Sequence, residues 1–249
     1  MESGDWRRCE DMTTLQLTNK WVRRLAIAAG IFGVLFVWST YPWVYWAKPI
    51  EATVVDAETQ EPLEGVIVVA MWILEGGYHN DEVGFLEVLE TVTDSKGRFH
   101  FDSWGPVWRP GWGVLDAKDP RMYLFKDGYR YKQLLNGHQG RSTTGAMGRR
   151  STWSGETIPL ERFEGDVDEY ARSLSYLSNR IEPLAHRSLM PHWSCEWQKI
   201  PRLILAIEKV EIRRKVANPR SMAELMTTEE IAYVEVCGSA SDFFKNHRP

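Results

Sequence analysis

The sequence predicts an α+β protein: an antiparallel β-sandwich followed by a small helical region and preceded by one transmembrane helix. Three observations lead there. Residues 25–47 read LAIAAGIFGVLFVWSTYPWVYWA without a single charge. Residues 50–160 break into short β-type runs punctuated by turn residues. Beyond residue 163, apolar residues recur at helical spacing. The expected organisation is a cytoplasmic segment 1–20, a membrane span 21–47, a sandwich 48–162 and a helical region 163–249.

The uncharged run is long enough to span a bilayer. At about 1.5 Å per residue a helix of this length crosses a hydrocarbon core of roughly 30 Å. Trp21 lies at one end, and Tyr41, Trp43, Tyr45 and Trp46 crowd the other, where amphipathic rings favour the headgroup zone. Pro42 falls near that second end, where a lost helical hydrogen bond costs least. Arg7, Arg8, Lys20, Arg23 and Arg24 precede the run, and Lys48 stands alone just after it. Positive-inside bias therefore puts the N-terminus in the cytoplasm and everything beyond Lys48 in the periplasm or outside the cell. The competing reading is a cleaved signal peptide, but the best site, Val37-Trp38-Ser39, is a poor one. The expected state is an uncleaved signal anchor, with the lipid bilayer as its partner through residues 21–47.

A net charge of −4 gives no electrostatic footprint for nucleic acid, which is excluded as a partner. Of the three cysteines, Cys9 falls on the cytoplasmic side. Cys195 and Cys237 both lie outside, where a disulfide between them would persist; two buried thiols are the alternative.

Behind the anchor, residues 50–55 form a β-branched run. Residues 58–62, ETQEP, form a turn, because proline fixes φ and donates no hydrogen bond. Residues 65–73 are nearly all apolar and read as a strand buried on both faces. Residues 87–93 alternate, with Val88 and Val92 pointing inward. Residues 94–97, DSKG, turn the chain into 98–101, with Phe99 and Phe101 on one side. Further strands are expected at 121–125, 129–133 and 157–160, the first two separated by the turn Lys126-Asp127-Gly128.

Three blocks carry a family resemblance: VVDAETQEPLEGVIVVA, ETVTDSKGRFHF and PRMYLFKDGYR. Together they resemble the carboxypeptidase regulatory-like domain, a transthyretin-like, Ig-like β-sandwich. Its pattern is D-x-x-T-x-x-P-L-x-G-V, then T-D-x-x-G-x-F, then a strand running into x-x-G-Y. The matching positions are Asp56, Thr59, Pro62, Leu63, Gly65 and Val66; Thr93, Asp94, Gly97 and Phe99; and Gly128 and Tyr129. The match covers residues 50–162 and departs from the family in a long insertion at 102–120. The resemblance implies a non-catalytic accessory module with no cofactor, in which Gly65, Gly97 and Gly128 serve turns and Phe99 and Tyr129 are core or corner aromatics.

Candidate chemistry is sparse. His79-Asn80-Asp81-Glu82 is an H-x-x-E, with His186 or His192 about a hundred residues later. Two imidazoles and a carboxylate would leave zinc one site for water. Yet this H-x-x-E sits in a polar loop between expected strands, and the chain has no room for the catalytic domain that holds such ligands in zinc carboxypeptidases. No nucleophile elbow, P-loop or dinucleotide fingerprint is present. Asp166, Asp168 and Glu169 lack calcium-loop spacing and suit a helix start.

The best binding candidate is SWGPVWRPGWG, residues 103–113. Trp104, Trp108 and Trp112 recur every four residues among Gly and Pro, which favours irregular backbone. Exposed, they would stack on a cell-envelope glycan or anchor a protein partner; otherwise they cover a sheet edge or dip into the membrane interface. Residues 137–155, rich in Gly and Ser with Arg141, Arg149 and Arg150, read as a solvated loop, or as a contact for anionic lipid or cell-wall polymer.

In the C-terminal third, Val167, Tyr170, Ala171, Leu174, Leu177 and Ile181 define one helix from Asp166. Trp197, Ile200, Leu203, Ile204 and Ile207 define a second from about residue 194, ended by Asn218-Pro219. Two capping-box patterns, 221–224 and 227–230, introduce short final helices. These stripes form a bundle packed on itself or on the sandwich. The expected function is that of a non-catalytic, membrane-anchored extracytoplasmic binding or assembly protein, without catalytic or metal residues. The alternatives are a zinc hydrolase using His79, Glu82 and a distal histidine, or a structural subunit of a larger membrane complex.

Overall fold

The computed structural model describes residues 7–40, 44–77, 81–109, 113–116, 118–137, 148–185, 195–221, 223–231 and 233–248, with side chains of the first helix described over 20–36. The chain divides into two units, Met1–Trp43 and Val44–Pro249.

The first unit contains helix α1 (Arg7–Thr40). Its described side chains are all exposed, Leu25, Ile31, Phe32 and Leu35 among them. Among the described residues no helix is long and apolar enough to cross a membrane. The expected span 21–47 is also not a single helix: α1 stops at Thr40, and Val44–Ala47 is strand β1. The sequence Val-Tyr-Trp is β-prone, and its backbone is taken up by neighbouring strands.

The second unit begins at β1, four residues before the expected boundary at 48. It continues through β2 (Ile50–Asp56), β3 (Ile67–Gly76), β4 (Asp81–Val92), β5 (Arg98–Phe101), β6 (Trp104–Trp108), β7 (Val114–Leu115), β8 (Arg121–Phe125), β9 (Lys132–Leu134), β10 (Gly148–Arg149) and β11 (Thr157–Leu160). The helices are α2 (Val167–Ala185), α3 (Pro201–Ala217) and α4 (Ala240–Lys245). One sheet runs β4-β3-β8-β9, with β7 also on β3; the others run β11-β2-β5 and β10-β1-β6.

The strand expected to be buried on both faces, β3, organises the unit. Val68, Ala70, Trp72 and Leu74 point to one side and join Ile50, Val54, Phe99, Phe101 and Ile158 in the core between sheets. Val69, Met71 and Ile73 point to the other and join Leu174, Ile181, Ile204 and Ile207 beneath the helices. Each such side chain removed from water contributes about 1.5–3 kcal/mol. The helical region is therefore not a separate bundle; it is the third layer of the same unit.

Helix α3 has no side-chain cap of its own, since Ile200 precedes Pro201. Glu90 of β4 supplies the carboxylate, accepting from Arg202 N (3.1 Å) and Leu203 N (2.8 Å). At the start of α2, Asp166 and Glu169 form a reciprocal box, Glu169 N donating to Asp166 Oδ1 (2.8 Å) and Asp166 N to Glu169 Oε2 (3.2 Å).

Several expectations need correction. The sheets are not wholly antiparallel, because β11 pairs parallel with β2 and β10 parallel with β1. Strand β4 starts at Asp81, so Glu82 lies in a strand and not in a loop. The strand expected at 129–133 is Lys132–Leu134, and Tyr129 makes an isolated bridge to Arg162. The second helix begins at Pro201, after a 3₁₀ turn at Glu196–Lys199. The capping-box patterns introduce no helix beyond a single 3₁₀ turn at Thr228–Glu230; Ser221 Oγ accepts from Ala223 N in a local turn, and the last helix is capped by Ser239.

Candidate functional site

The three blocks of the resemblance meet in space, and their polar residues are occupied in holding turns. Asp56, buried at the end of β2, accepts from Glu58 N, Thr59 N, Tyr129 OH and Arg162. Burial alone would raise its pKa, but the Thr59 and Glu58 amides, Tyr129 and Arg162 hold it below the usual carboxylate range. Thr93 Oγ1 donates to Leu63 O (2.6 Å) and accepts from Val66 N (2.8 Å). Asp94 Oδ1 takes the amides of Lys96 and Arg98, closing the β4–β5 turn. Each of these groups is engaged in holding a turn.

Within the tryptophan-rich segment, Trp104–Trp108 is strand, not irregular loop. β6 pairs antiparallel with β1, with Val44 opposite Trp108, Tyr45 opposite Val107 and Ala47 opposite Trp104. Trp104 turns inward, edge-on to Trp72 with ring centroids 5.2 Å apart. Trp108 turns outward and is 72 % exposed. On β1, Tyr45 is buried and Trp46 is 40 % exposed. The sequence grouped Trp104 with Trp108 by spacing, and regular alternation would keep residues four apart on one face. The register shift between Tyr45 and Ala47, which pair with Val107 and Trp104, puts the two tryptophans on opposite faces. Trp112 lies outside the described residues.

Arg149, expected in a solvated loop, is instead buried in β10. Its Nη2 donates to Leu115 O (2.8 Å), and its guanidinium lies 5.8 Å from the centre of the Tyr45 ring. Arg141 lies outside the described residues, and Arg150 is exposed.

The strongest electrostatic feature was not foreseen. Arg121, at the start of β8, donates Nη1 to Glu82 (2.7 Å) and Nη2 to Glu75, with Asp119 Oδ1 3.5 Å from its Nε and Asp116 at 4.0 Å. Arg180 of α2 also donates to Glu82. Asp119 is fully buried and accepts from Ile73 N (3.3 Å). Its pKa is pushed up to about 8, foremost by burial; Arg121 opposes the shift and Asp116 adds to it. A guanidinium shared among several carboxylates neutralises none completely, so the most deeply buried keeps its proton. One sequence signal existed: Arg121 opens an otherwise apolar strand, RMYLF.

Glu82 is the one described member of the zinc candidate set, and it is committed to two guanidiniums. His79, His186 and His192 lie outside the described residues. Among the described residues no group of three His, Cys, Asp or Glu is arranged to hold a metal ion.

His100 was also unforeseen. It stands between Glu51 and Asp102, each at 3.0 Å, beside an open cleft of about 390 Å³ lined also by Thr53, Asp94 and Arg98. The hydrogen bond to Asp102 leads in raising its pKa. The ring is half exposed, and both of its nitrogens are occupied.

Cys195 and Cys237 form the expected disulfide. It ties the 3₁₀ turn before α3 to the segment before α4, where Trp197 packs against Phe243 and Phe244 with centroids 5.1 and 5.6 Å apart. The bond suggests that this unit resides outside the cytoplasm.

No family model and no curated protein matches the sequence. Distant likenesses exist among solved structures. The 3-chlorocatechol 1,2-dioxygenase from Rhodococcus opacus 1CP matches at 16 % identity and a TM-score of 0.29, over 50 % of this chain and 65 % of that one. The group B streptococcus pilus 2b backbone protein matches at 16 % identity and 0.24, over 47 % and 41 %. The dioxygenase domain of a carbohydrate-binding fusion from Streptomyces sp. SirexAA-E matches at 17 % identity and 0.26, over 51 % and 84 %. The chain spans less than two thirds of the length of the first two. Overlaps this partial say nothing about this chain's chemistry.

Proposed function

We propose that the chain is a membrane-anchored, extracytoplasmic protein whose sheet-and-helix body binds or assembles without catalysis, and that this body is a carboxypeptidase regulatory-like, transthyretin-like domain. The observation that carries the binding reading is the outward pair Trp46 and Trp108 on the small sheet β10-β1-β6. Large aromatic rings grouped on one exposed face are the kind of surface that protein or ligand contacts use. The anchor reading rests on the uncharged stretch 25–40 of α1, the basic residues before it, and the exposed apolar side chains of that helix. The disulfide supports the compartment. The family reading rests on the interlocked motif residues Asp56, Thr93 and Tyr129.

The zinc hydrolase reading is less favoured, because Glu82 would have to leave Arg121 and Arg180 to reach a metal. Protease added to cells with the outer barrier opened and the cytoplasmic membrane intact should digest the unit from Val44 onward. Protection until full lysis would refute the topology. Stoichiometric zinc in the purified protein, lost on His79→Ala, would refute the non-catalytic reading.

A further inference from the structure

The small sheet β10-β1-β6 has an unusual composition. Its strands and their immediate flanks, residues 44–48, 104–109 and 148–150, read VYWAK, WGPVWR and GRR. They hold Lys48, Arg109, Arg149 and Arg150, and none of the chain's 34 acidic residues. This basic stretch runs against the net charge of −4. Lys48 N donates to Arg149 O (2.9 Å), which brings the exposed Lys48 and Arg150 together at one end of β1; Arg149 itself is buried, and Arg109 follows Trp108 at the other end.

The outer face is aromatic and firmly seated. Alternation places Val44, Trp46 and Trp108 on it, with Tyr45 and Ala47 directed into the core. Trp46 lies flat on β10: a Cβ at Gly148 would fall 2.4 Å from Cζ2 of its ring. Gly105 of β6 approaches just as closely, and a Cβ there would fall 2.8 Å from the Cα of Trp46. Gly148 thus lets the Trp46 ring lie against β10, and Gly105 lets β6 approach the Trp46 backbone, while the ring stays 40 % exposed.

Chain order supplies the likeliest surroundings in chemical terms. β1 starts only three residues after α1 ends, so the sheet follows directly on the apolar run. Indole rings beside lysine and arginine, with no carboxylate, match the zone of phospholipid headgroups: the rings sit at the apolar boundary and the cations meet phosphate. A sugar-binding platform would pair hydroxyls with acceptors as well as donors, and these three segments contain no Asp, Glu, Asn, Gln, Ser or Thr, so that their exposed side chains, Trp, Lys and Arg, offer donors alone.

We propose that the outer face of β10-β1-β6 is a membrane-docking surface, seating Trp46 and Trp108 in the headgroup zone of an anionic phospholipid leaflet with Lys48 and Arg150 on the phosphates. This rests on the membrane-anchored reading above. Docking would restrain the body against the bilayer at a second point in addition to the anchor.

The test uses the full chain in a Cys9→Ser background, so that the bonded Cys195 and Cys237 leave no free thiol. Trp108→Cys reports on the face, and Val216→Cys, at a position 80 % exposed on α3, serves as control. Each is reconstituted into phosphatidylcholine vesicles with or without phosphatidylglycerol, or kept in mild detergent, and labelled with a water-soluble maleimide. Labelling at position 108 should slow several-fold in the phosphatidylglycerol vesicles, while position 216 labels as fast as in detergent. Equal rates at 108 and 216 in vesicles would overturn the docking surface. Slow labelling at 108 that persists in detergent would mean a protein contact and would overturn it as well. Equal protection with and without phosphatidylglycerol would overturn the role of Lys48 and Arg150. Release of the chain from vesicles by alkaline carbonate would instead refute the anchored reading on which the proposal stands.

Discussion

The hydroxyl of Tyr129 donates to the carboxylate of Asp56 at 2.9 Å, joining residues 73 positions apart in the chain. Asp56 in turn holds the amides of Glu58 and Thr59, so one carboxylate fixes the turn after β2 and secures the chain beyond β8. Tyr129→Phe keeps the ring in the core and removes only this bond. Stability should fall by about 1 kcal/mol, read as a shift of the urea midpoint at unchanged slope. An unchanged midpoint would show that Arg162 and the Glu58 and Thr59 amides satisfy Asp56 without Tyr129.

Gly97 and Gly128 both have positive φ, +69° and +81°, but their surroundings differ. A Cβ at Gly97 would lie 2.4 Å from Val54 O, whereas nothing lies within 4 Å of one at Gly128. Gly97→Ala should cost about 2–3 kcal/mol and Gly128→Ala only about 1 kcal/mol, the strain of the left-handed backbone alone. Equal midpoints for the two variants in thermal unfolding would contradict this.

Asp119 makes stability depend on pH. Its pKa near 8 lies above the unfolded value of about 3.9. Between those values the folded state holds a proton that the unfolded chain has lost. Its contribution is therefore complete below about pH 4 and declines as pH rises toward 8. Asp119→Asn cannot lose a proton, so its stability should decline less, by about 3–4 kcal/mol, between about pH 5 and pH 8. Parallel urea midpoints for wild type and variant across that range would refute the assignment.

The disulfide closes a loop with a sequence separation of 42. Replacing both cysteines by serine should cost about 2–4 kcal/mol. The loss should appear first as faster hydrogen exchange in α4, which Trp197, Phe243 and Phe244 hold beside the bond. Protection in α4 equal to wild type would show that aromatic packing alone holds the tail.

The sequence made local structure legible where a single pattern dominated. The unbroken apolar run of β3 meant burial on both faces, and the strands at 98–101, 121–125 and 157–160 stand where the turn residues placed them. It was least legible where one composition suits two environments. Val44–Ala47 reads equally as the aromatic end of a helix and as a strand, and only its pairing with β6 and β10 decides. The cluster around Arg121 was hidden because Glu75, Glu82, Asp116, Asp119 and Arg180 converge from separate elements across about a hundred residues. Trp104 and Trp108 looked alike in sequence because a regular strand would also put residues four apart on one face, and spacing does not reveal the register shift in the β1–β6 pairing that separates them.

The account turns on where the unit beginning at Val44 resides, and the chain's own thiols report it. Cells expressing the full chain are quenched in acid, alkylated with one reagent, reduced, and alkylated with a second of different mass. The account predicts that Cys9 takes the first reagent, and Cys195 and Cys237 only the second. First-reagent labelling of all three would place the unit in a reducing compartment and contradict both the anchored topology and the function built on it.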